Sequence, residues 1–216
     1  MDNVNPTVLI KHKLYDQFFD EPHERKIADI TMNLKNETVN PVIITGDFII
    51  VSGQQVVNVA IKAGIENVPV VVKNFDSEDS MMRYMLKCGI SKGTYDCMNP
   101  IKYARCIAEL ERIDGVRQGS YGKTTKFEIG RGVPTRRQTD LAKELGVEAR
   151  MLRRYKSLLK LEPEAQQAVA SGKIGTTIAW DFLVKQSPER QRKVAEIALK
   201  KEKALTKQQT IAICLK

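Results

Sequence analysis

Residues 135–159 read TRRQTDLAKELGVEARMLRRYKSLL, and few arrangements accommodate that run. Thr135 and Gln138 are spaced as a capping box, a hydroxyl at a helix start and an amide three residues on that reaches back. Leu141, Ala142 and Leu145 then share one face, and Gly146 permits the left-handed turn that ends the helix. Val147 resumes the apolar pattern, followed by Leu152, Tyr155 and Leu159. Counted from Gln138 as first, Ala142 is fifth, Gly146 ninth, Leu152 fifteenth and Tyr155 eighteenth. A small residue where two helices cross, a glycine at the corner and apolar positions beyond predict a helix-turn-helix.

The other face of the second helix is basic. Arg150, Arg153, Arg154 and Ser157 fall at i, i+3, i+4 and i+7, a stripe opposite Leu152 and Tyr155. Arginines so placed on a recognition helix fork onto guanine edges or phosphates. Arg136, Arg137, Lys156 and Lys160 flank the stripe and are read as contacts to backbone phosphates. The bland alternative is a helical hairpin with a solvated basic face.

Charge elsewhere supports DNA. The 216 residues carry 35 Lys+Arg and 26 Asp+Glu, a net of +9. Residues 1–116 hold 13 basic and 16 acidic groups, net −3; residues 117–216 hold 22 and 10, net +12. Such asymmetry predicts two domains with separate jobs, the basic one facing a polyanion. Between them, residues 115–132 (GVRQGSYGKTTKFEIGRG) are Gly-rich and basic and read as a linker, or as an ordered insertion with a short hairpin near residues 126–129. The expected domains are residues 1–114, a linker 115–133, and residues 134–216.

Other classes fall away. No run approaches the ~18 apolar residues of a membrane span, and MDNVNPTVLIKHK lacks a signal-peptide pattern, so a cytoplasmic, nucleoid-associated location is expected. Cys88, Cys97, Cys106 and Cys214 form no C-x-x-C pair, and His12 and His23 lie far from them in sequence. Free thiols are expected, with no metal site and no disulfide. No nucleophile–base set or carboxylate pair stands out, so no catalytic residue is assigned.

The first half reads as a small mixed α/β unit. Residues 41–45 (PVIIT) and 48–52 (FIIVS) are β-branched runs separated by Gly46-Asp47, a two-residue hairpin signal. A helix follows over residues 54–62, then a strand at 68–72. The next helix is capped by Asp76 and ends at Gly89; another starts at Asn99-Pro100 with Ile101, Ala104 and Ala108 on one face. Ile27, Ile30 and Leu34 mark an earlier helix, and the predicted order is α-β-β-α-β-α-α. Gly53, between a strand and a helix start, is the kind of turn where backbone N–H groups meet a phosphate, or simply a tight turn. Four more helices are expected: one opened by Glu162-Pro163, one by Thr176 or Thr177 with Trp180 in its core, one by Ser187-Pro188, and one by the capping box Thr206–Gln209.

These residues together carry a family resemblance. FIIVSGQQVVNVAIKAGIENVPVVV, Asn99-Pro100-Ile101 and TDLAKELGVEARMLRRYKSLLKLEPEAQQAV resemble the N-terminal and central domains of ParB-type partition proteins, over residues 27–110 and 134–213. The resemblance implies an α+β chain: a small ParB/sulfiredoxin-like α/β domain followed by an all-α helix-turn-helix domain. It also implies sequence-specific binding of double-stranded DNA, in partition or in regulation of transcription. The Gly-rich insertion is similar to that of relatives on plasmids, phages and integrating elements. ParB proteins of the clamp type bind and hydrolyse CTP through a Gly-Glu-Arg-Arg turn and a Glu-Asn-x-x-Arg motif. Here Gly53 is followed by Gln54, Gln55 and Val56, and Ser91, Lys92, Gly93, Thr94 and Tyr95 replace the second motif. The expectation is therefore no cofactor, with CTP and Mg²⁺ left as the alternative. The alternative is a nucleotide-binding enzyme, a CTPase or nuclease, using Gly53, Gln54 and Gln55. Expected partners are DNA, a second copy on a two-fold site, and a ParA-type ATPase recruited through Lys11 and Lys13; the family's C-terminal dimerisation domain is expected to be lacking.

Overall fold

Backbone pairing, not side-chain pattern, sets the edges of the first sheet. The computed structural model describes residues 2–36, 38–90, 99–116 and 137–215. The chain begins with β1 (Asp2–Val4) and β2 (Ile10–Lys11), strands too short and too polar to be legible as such. Then come α1 (Tyr15–Phe18), α2 (Glu24–Lys35), β3 (Val42–Ile44), β4 (Ile49–Ser52), α3 (Gln54–Lys62), β5 (Val68–Val72) and α4 (Glu78–Gly89). They make one unit, Met1–Gly89.

The five strands order β1-β5-β3-β4-β2. The β3–β5 and β2–β4 pairs are parallel; β1–β5 and β3–β4 are antiparallel. Val42 and Ile44 of β3 and Val68 and Val70 of β5 meet Ile30 and Leu34 of α2 and Val57 and Ala60 of α3 in one core. Ile50 joins it, while successive strand residues face opposite ways. Val51 is buried as well, on the face where α4 packs against β4 with Met82, Met85 and Leu86 inward. The sheet is thus covered on both faces.

Two local expectations need correction. The β3–β4 connection spans residues 45–48, and Phe48 leaves the strand with φ +61° and 44 % exposure. The Thr45 carbonyl accepts from the Phe48 N–H at 3.1 Å, which holds the turn in that form. At α4 the cap is Ser77, not Asp76: Ser77 Oγ accepts from the Ser80 N–H at 3.1 Å and Ser80 Oγ accepts from the Ser77 N–H at 3.2 Å. The exchange satisfies two backbone donors at once.

His12 gives this unit a pH dependence. It is buried, and Nδ1 accepts from the Leu14 N–H at 3.2 Å. Burial, then the Lys13 charge, lowers its pKa from 6.5, with Glu78 opposing. The unfolded chain therefore takes up the proton first as pH falls. The stabilisation is fully present above 6.5 and is lost as pH drops from there through the lower folded value. Asparagine keeps an acceptor at the δ position. In urea unfolding between pH 7.5 and 5, His12→Asn is expected to flatten the loss of stability seen in the unaltered chain. An unchanged slope would assign the effect to other groups.

The second unit, Ile90–Lys216, is helical. It contains α5 (Pro100–Ile113), α6 (Gln138–Leu145), α7 (Ala149–Ser157), a 3-10 turn (Leu158–Lys160), α8 (Pro163–Ala170), α9 (Thr176–Asp181), α10 (Pro188–Lys200) and α11 (Lys207–Leu215). The fold is α+β, a mixed α/β unit followed by an all-α one. The boundary differs from the expected 1–114, because α5 packs on α7, the 3-10 turn and α8. Its buried face is Ile101, Tyr103, Ala104, Ile107 and Leu110; Ala108 lies at its margin. Of the expected linker only Gly115 and Val116 are described; residues 117–133, Thr135, Arg136, Cys97 and Ser91 to Tyr95 lie outside the described residues. Cys106 and Cys214 are buried and Cys88 is exposed. Among the described residues no helix is long and apolar enough to cross a membrane.

Candidate nucleic-acid interface

The α6–α7 pair is built from local signals. α6 starts at Gln138 with Arg137 as its cap: the Arg137 N–H donates to Asp140 Oδ2 at 3.2 Å. The acid sits three residues into the helix, where it meets an unpaired backbone donor. α6 ends at Gly146, φ +69°, where the Val147 N–H returns to the Ala142 carbonyl at 3.0 Å. Leu141, Ala142, Leu145, Leu152 and Tyr155 are buried between the two helices and their neighbours. A Cβ in that left-handed conformation costs about 1–2 kcal/mol. Gly146→Ala is expected to lower stability by that amount in urea unfolding. An unshifted midpoint would mean that the corner relaxes freely.

A buried carboxylate ties this pair to α5. Glu111 is 4 % exposed at its side chain. It accepts from Gln138 Nε2 at 2.6 Å and pairs with the Lys156 ammonium, itself 13 % exposed. Tyr103 of α5 packs edge-on to Tyr155 at 4.6 Å, and Tyr155 packs edge-on to Trp180 of α9 at 5.4 Å. Four helices are thereby locked behind the outer face of α7.

The basic residues read from the sequence separate into groups. Arg150 and Arg153 are exposed with no partner among the described residues. Arg154 is half-buried, directed at α9, and Ser157 Oγ donates to the Arg154 carbonyl at 2.6 Å. Lys156, read as a phosphate contact, points instead into the unit, because about 100° of rotation per residue turns it from the Arg150–Arg153 stripe toward α5. Lys160 is exposed on the 3-10 turn and Arg137 at the start of α6. Glu111 and the Arg154 partners on α9 were not read from the sequence. The one available signal for Glu111 was its place beside Ile107 and Leu110 on an otherwise apolar face.

The Gly53 turn has a different character. Gly53 has φ +95° and caps α3, and a Cβ there would lie 3.1 Å from Val42 Cγ2. Gln54 is 6 % exposed; Nε2 donates to Asn58 Oδ1 at 2.8 Å, and Oε1 is buried with no partner among the described residues. Gln55 Nε2 donates to the Asp20 carbonyl at 3.2 Å, and Asn58 Nδ2 to the Glu21 carboxylate at 3.1 Å. A nucleoside triphosphate needs cations at its phosphates. Neutral amides beside a carboxylate do not supply them, so the described residues of this turn do not fit CTP. Among the described residues no cluster fits a metal ion. Lys11 pairs with Asp16 at 2.7 Å and Lys13 with Glu78 at 2.9 Å, both as exposed surface ion pairs.

An α/β unit with a mixed five-stranded sheet, followed by a helical unit presenting a short-turned helix pair, defines a narrow class of fold. No protein-family description and no curated protein matches the chain. Solved structures do. The C-terminally truncated chromosome-partitioning protein ParB from Caulobacter crescentus, in complex with the centromeric parS site, is 18 % identical with a TM-score of 0.54, over 100 % of this chain and 99 % of that one. A Pnob8-like ParB-N domain is 14 % identical with a TM-score of 0.54, over 100 % and 97 %. Another structure of the pNOB8-like ParB N-domain is 16 % identical with a TM-score of 0.52, over 98 % and 93 %. The fold of this chain is that of the ParB proteins.

Proposed function

We propose that the second unit binds double-stranded DNA sequence-specifically, with α6 and α7 as a helix-turn-helix and α7 in the major groove. The observation that carries this reading is the pair Arg150 and Arg153, exposed on one stripe of α7 and unpaired among the described residues. Free guanidiniums held on a rigid helix match the geometry of guanine edges and phosphates. Arg137 and Lys160 flank the stripe as phosphate contacts, and the +12 charge of residues 117–216 supplies the long-range attraction. Support comes from a ParB of the same fold whose structure contains its parS site. The role we infer is partition of DNA, or regulation of transcription, on a mobile element, with the first unit serving protein contacts or self-association.

Selection from a random duplex pool tests the reading. The full chain is expected to enrich one sequence and to bind it far more tightly than a shuffled duplex. Equal binding to both would reduce the protein to a nonspecific polyanion binder.

A further inference from the structure

Arg154 differs from its two exposed neighbours. Its guanidinium carbon stands 5.4 Å from the centre of the Trp180 ring, and Nη2 lies 3.5 Å from Asp181 Oδ1. Tyr155, the next residue, packs edge-on to the same indole at 77°. The indole Nε1 is buried with no partner among the described residues, and it is the ring that faces Arg154. The Arg154 side chain is 30 % exposed and Asp181 53 %. A pair so long and so wet adds little to stability.

What the contacts do fix is direction. A free arginine side chain carries rotamer entropy that binding must otherwise freeze out. An aromatic face beneath it and a carboxylate at one edge restrict it before any ligand arrives. Among the described residues nothing else takes the remaining guanidinium N–H donors, which belong to the same stripe as Arg150 and Arg153.

We propose that Trp180 and Asp181 are positioning residues that aim Arg154 at base edges, so that α9 takes part in reading sequence. This rests on the DNA-binding function of α7 proposed above. It carries a sign that a merely structural or electrostatic role does not. Asp181 is a negative charge beside the proposed groove, so Asp181→Asn tightens binding to every duplex on charge alone. If Asp181 aims Arg154, the same change weakens discrimination.

The test uses the full chain, the duplex it enriches from a random pool, and a shuffled duplex of equal composition, at one salt concentration. Asp181→Asn and Trp180→Leu are expected to lower the ratio of selected to shuffled affinity about tenfold, the scale of one arginine–base contact. For Asp181→Asn, shuffled affinity stays equal or rises and the urea midpoint is unchanged. Asp181→Glu restores the ratio, and repeating the selection with Asp181→Asn relaxes the same base position that Arg154→Ala relaxes. If Asp181→Asn leaves the ratio and the selected sequence unchanged, the positioning role is wrong while the DNA-binding reading stands. If the unaltered chain enriches no sequence, that reading fails and takes this one with it.

Discussion

Glu111→Ala is expected to destabilise the second unit by about 3–5 kcal/mol, the scale for removing one partner of a buried ion pair. The cost does not measure the strength of the pair. It arises because the Lys156 ammonium, 13 % exposed, is left without its carboxylate, and Gln138 Nε2 loses its acceptor. Glu111→Gln keeps the shape and an acceptor for Gln138 but still strands the ammonium, so an intermediate loss is expected. Replacing both partners by apolar residues of similar volume, Glu111→Leu with Lys156→Met, is expected to recover much of the loss, since such swaps are often neutral. Urea unfolding of the two single variants and the double variant closes a thermodynamic cycle. Strict additivity would show that the two groups do not depend on each other.

The same pair shows where the sequence stops being legible. The α6–α7 hairpin is readable because its signals are local: a small residue, a glycine and apolar positions within about four turns of each other. The central strands are readable from β-branched runs. Lys156, Arg154 and Arg153 are indistinguishable in sequence, three basic residues on one helix. What separates them is a partner far along the chain, Glu111 at 45 residues from Lys156 and Asp181 at 27 from Arg154. Amphipathic spacing in α5 announces a buried face but not what buries it, here α7, the 3-10 turn and α8. β1 and β2 escape for a related reason, since edge strands are held by backbone bonds to β5 and β4. The positive φ falls on Phe48 and not on the neighbouring Gly46, against the usual preference for glycine in that region.

Combined Arg150→Ala and Arg153→Ala is expected to lower affinity for the selected duplex by about 3 kcal/mol, roughly a hundredfold, at 1–3 kcal/mol per arginine contact. Folding is expected to be untouched. Both side chains are exposed and unpaired among the described residues, and separating like charges three residues apart on a helix gains a few tenths of a kcal/mol. That contrast divides the basic residues by experiment: Lys156→Ala is expected to lose stability and affinity together, the Arg150–Arg153 variant affinity alone. The salt dependence then says what each arginine touches. Removing a cation that meets a phosphate lowers the slope of log affinity against log salt by about 0.9 and weakens every duplex alike. Removing a side chain that meets a base edge leaves the slope nearly unchanged and weakens the selected duplex more than the shuffled one. Arginines on the central stripe of α7 are expected to follow the second pattern, and Arg137 and Lys160 at its margins the first. If the double variant retains full affinity for the selected duplex, α7 is not the recognition helix, and the basic charge of this unit must engage DNA through another surface.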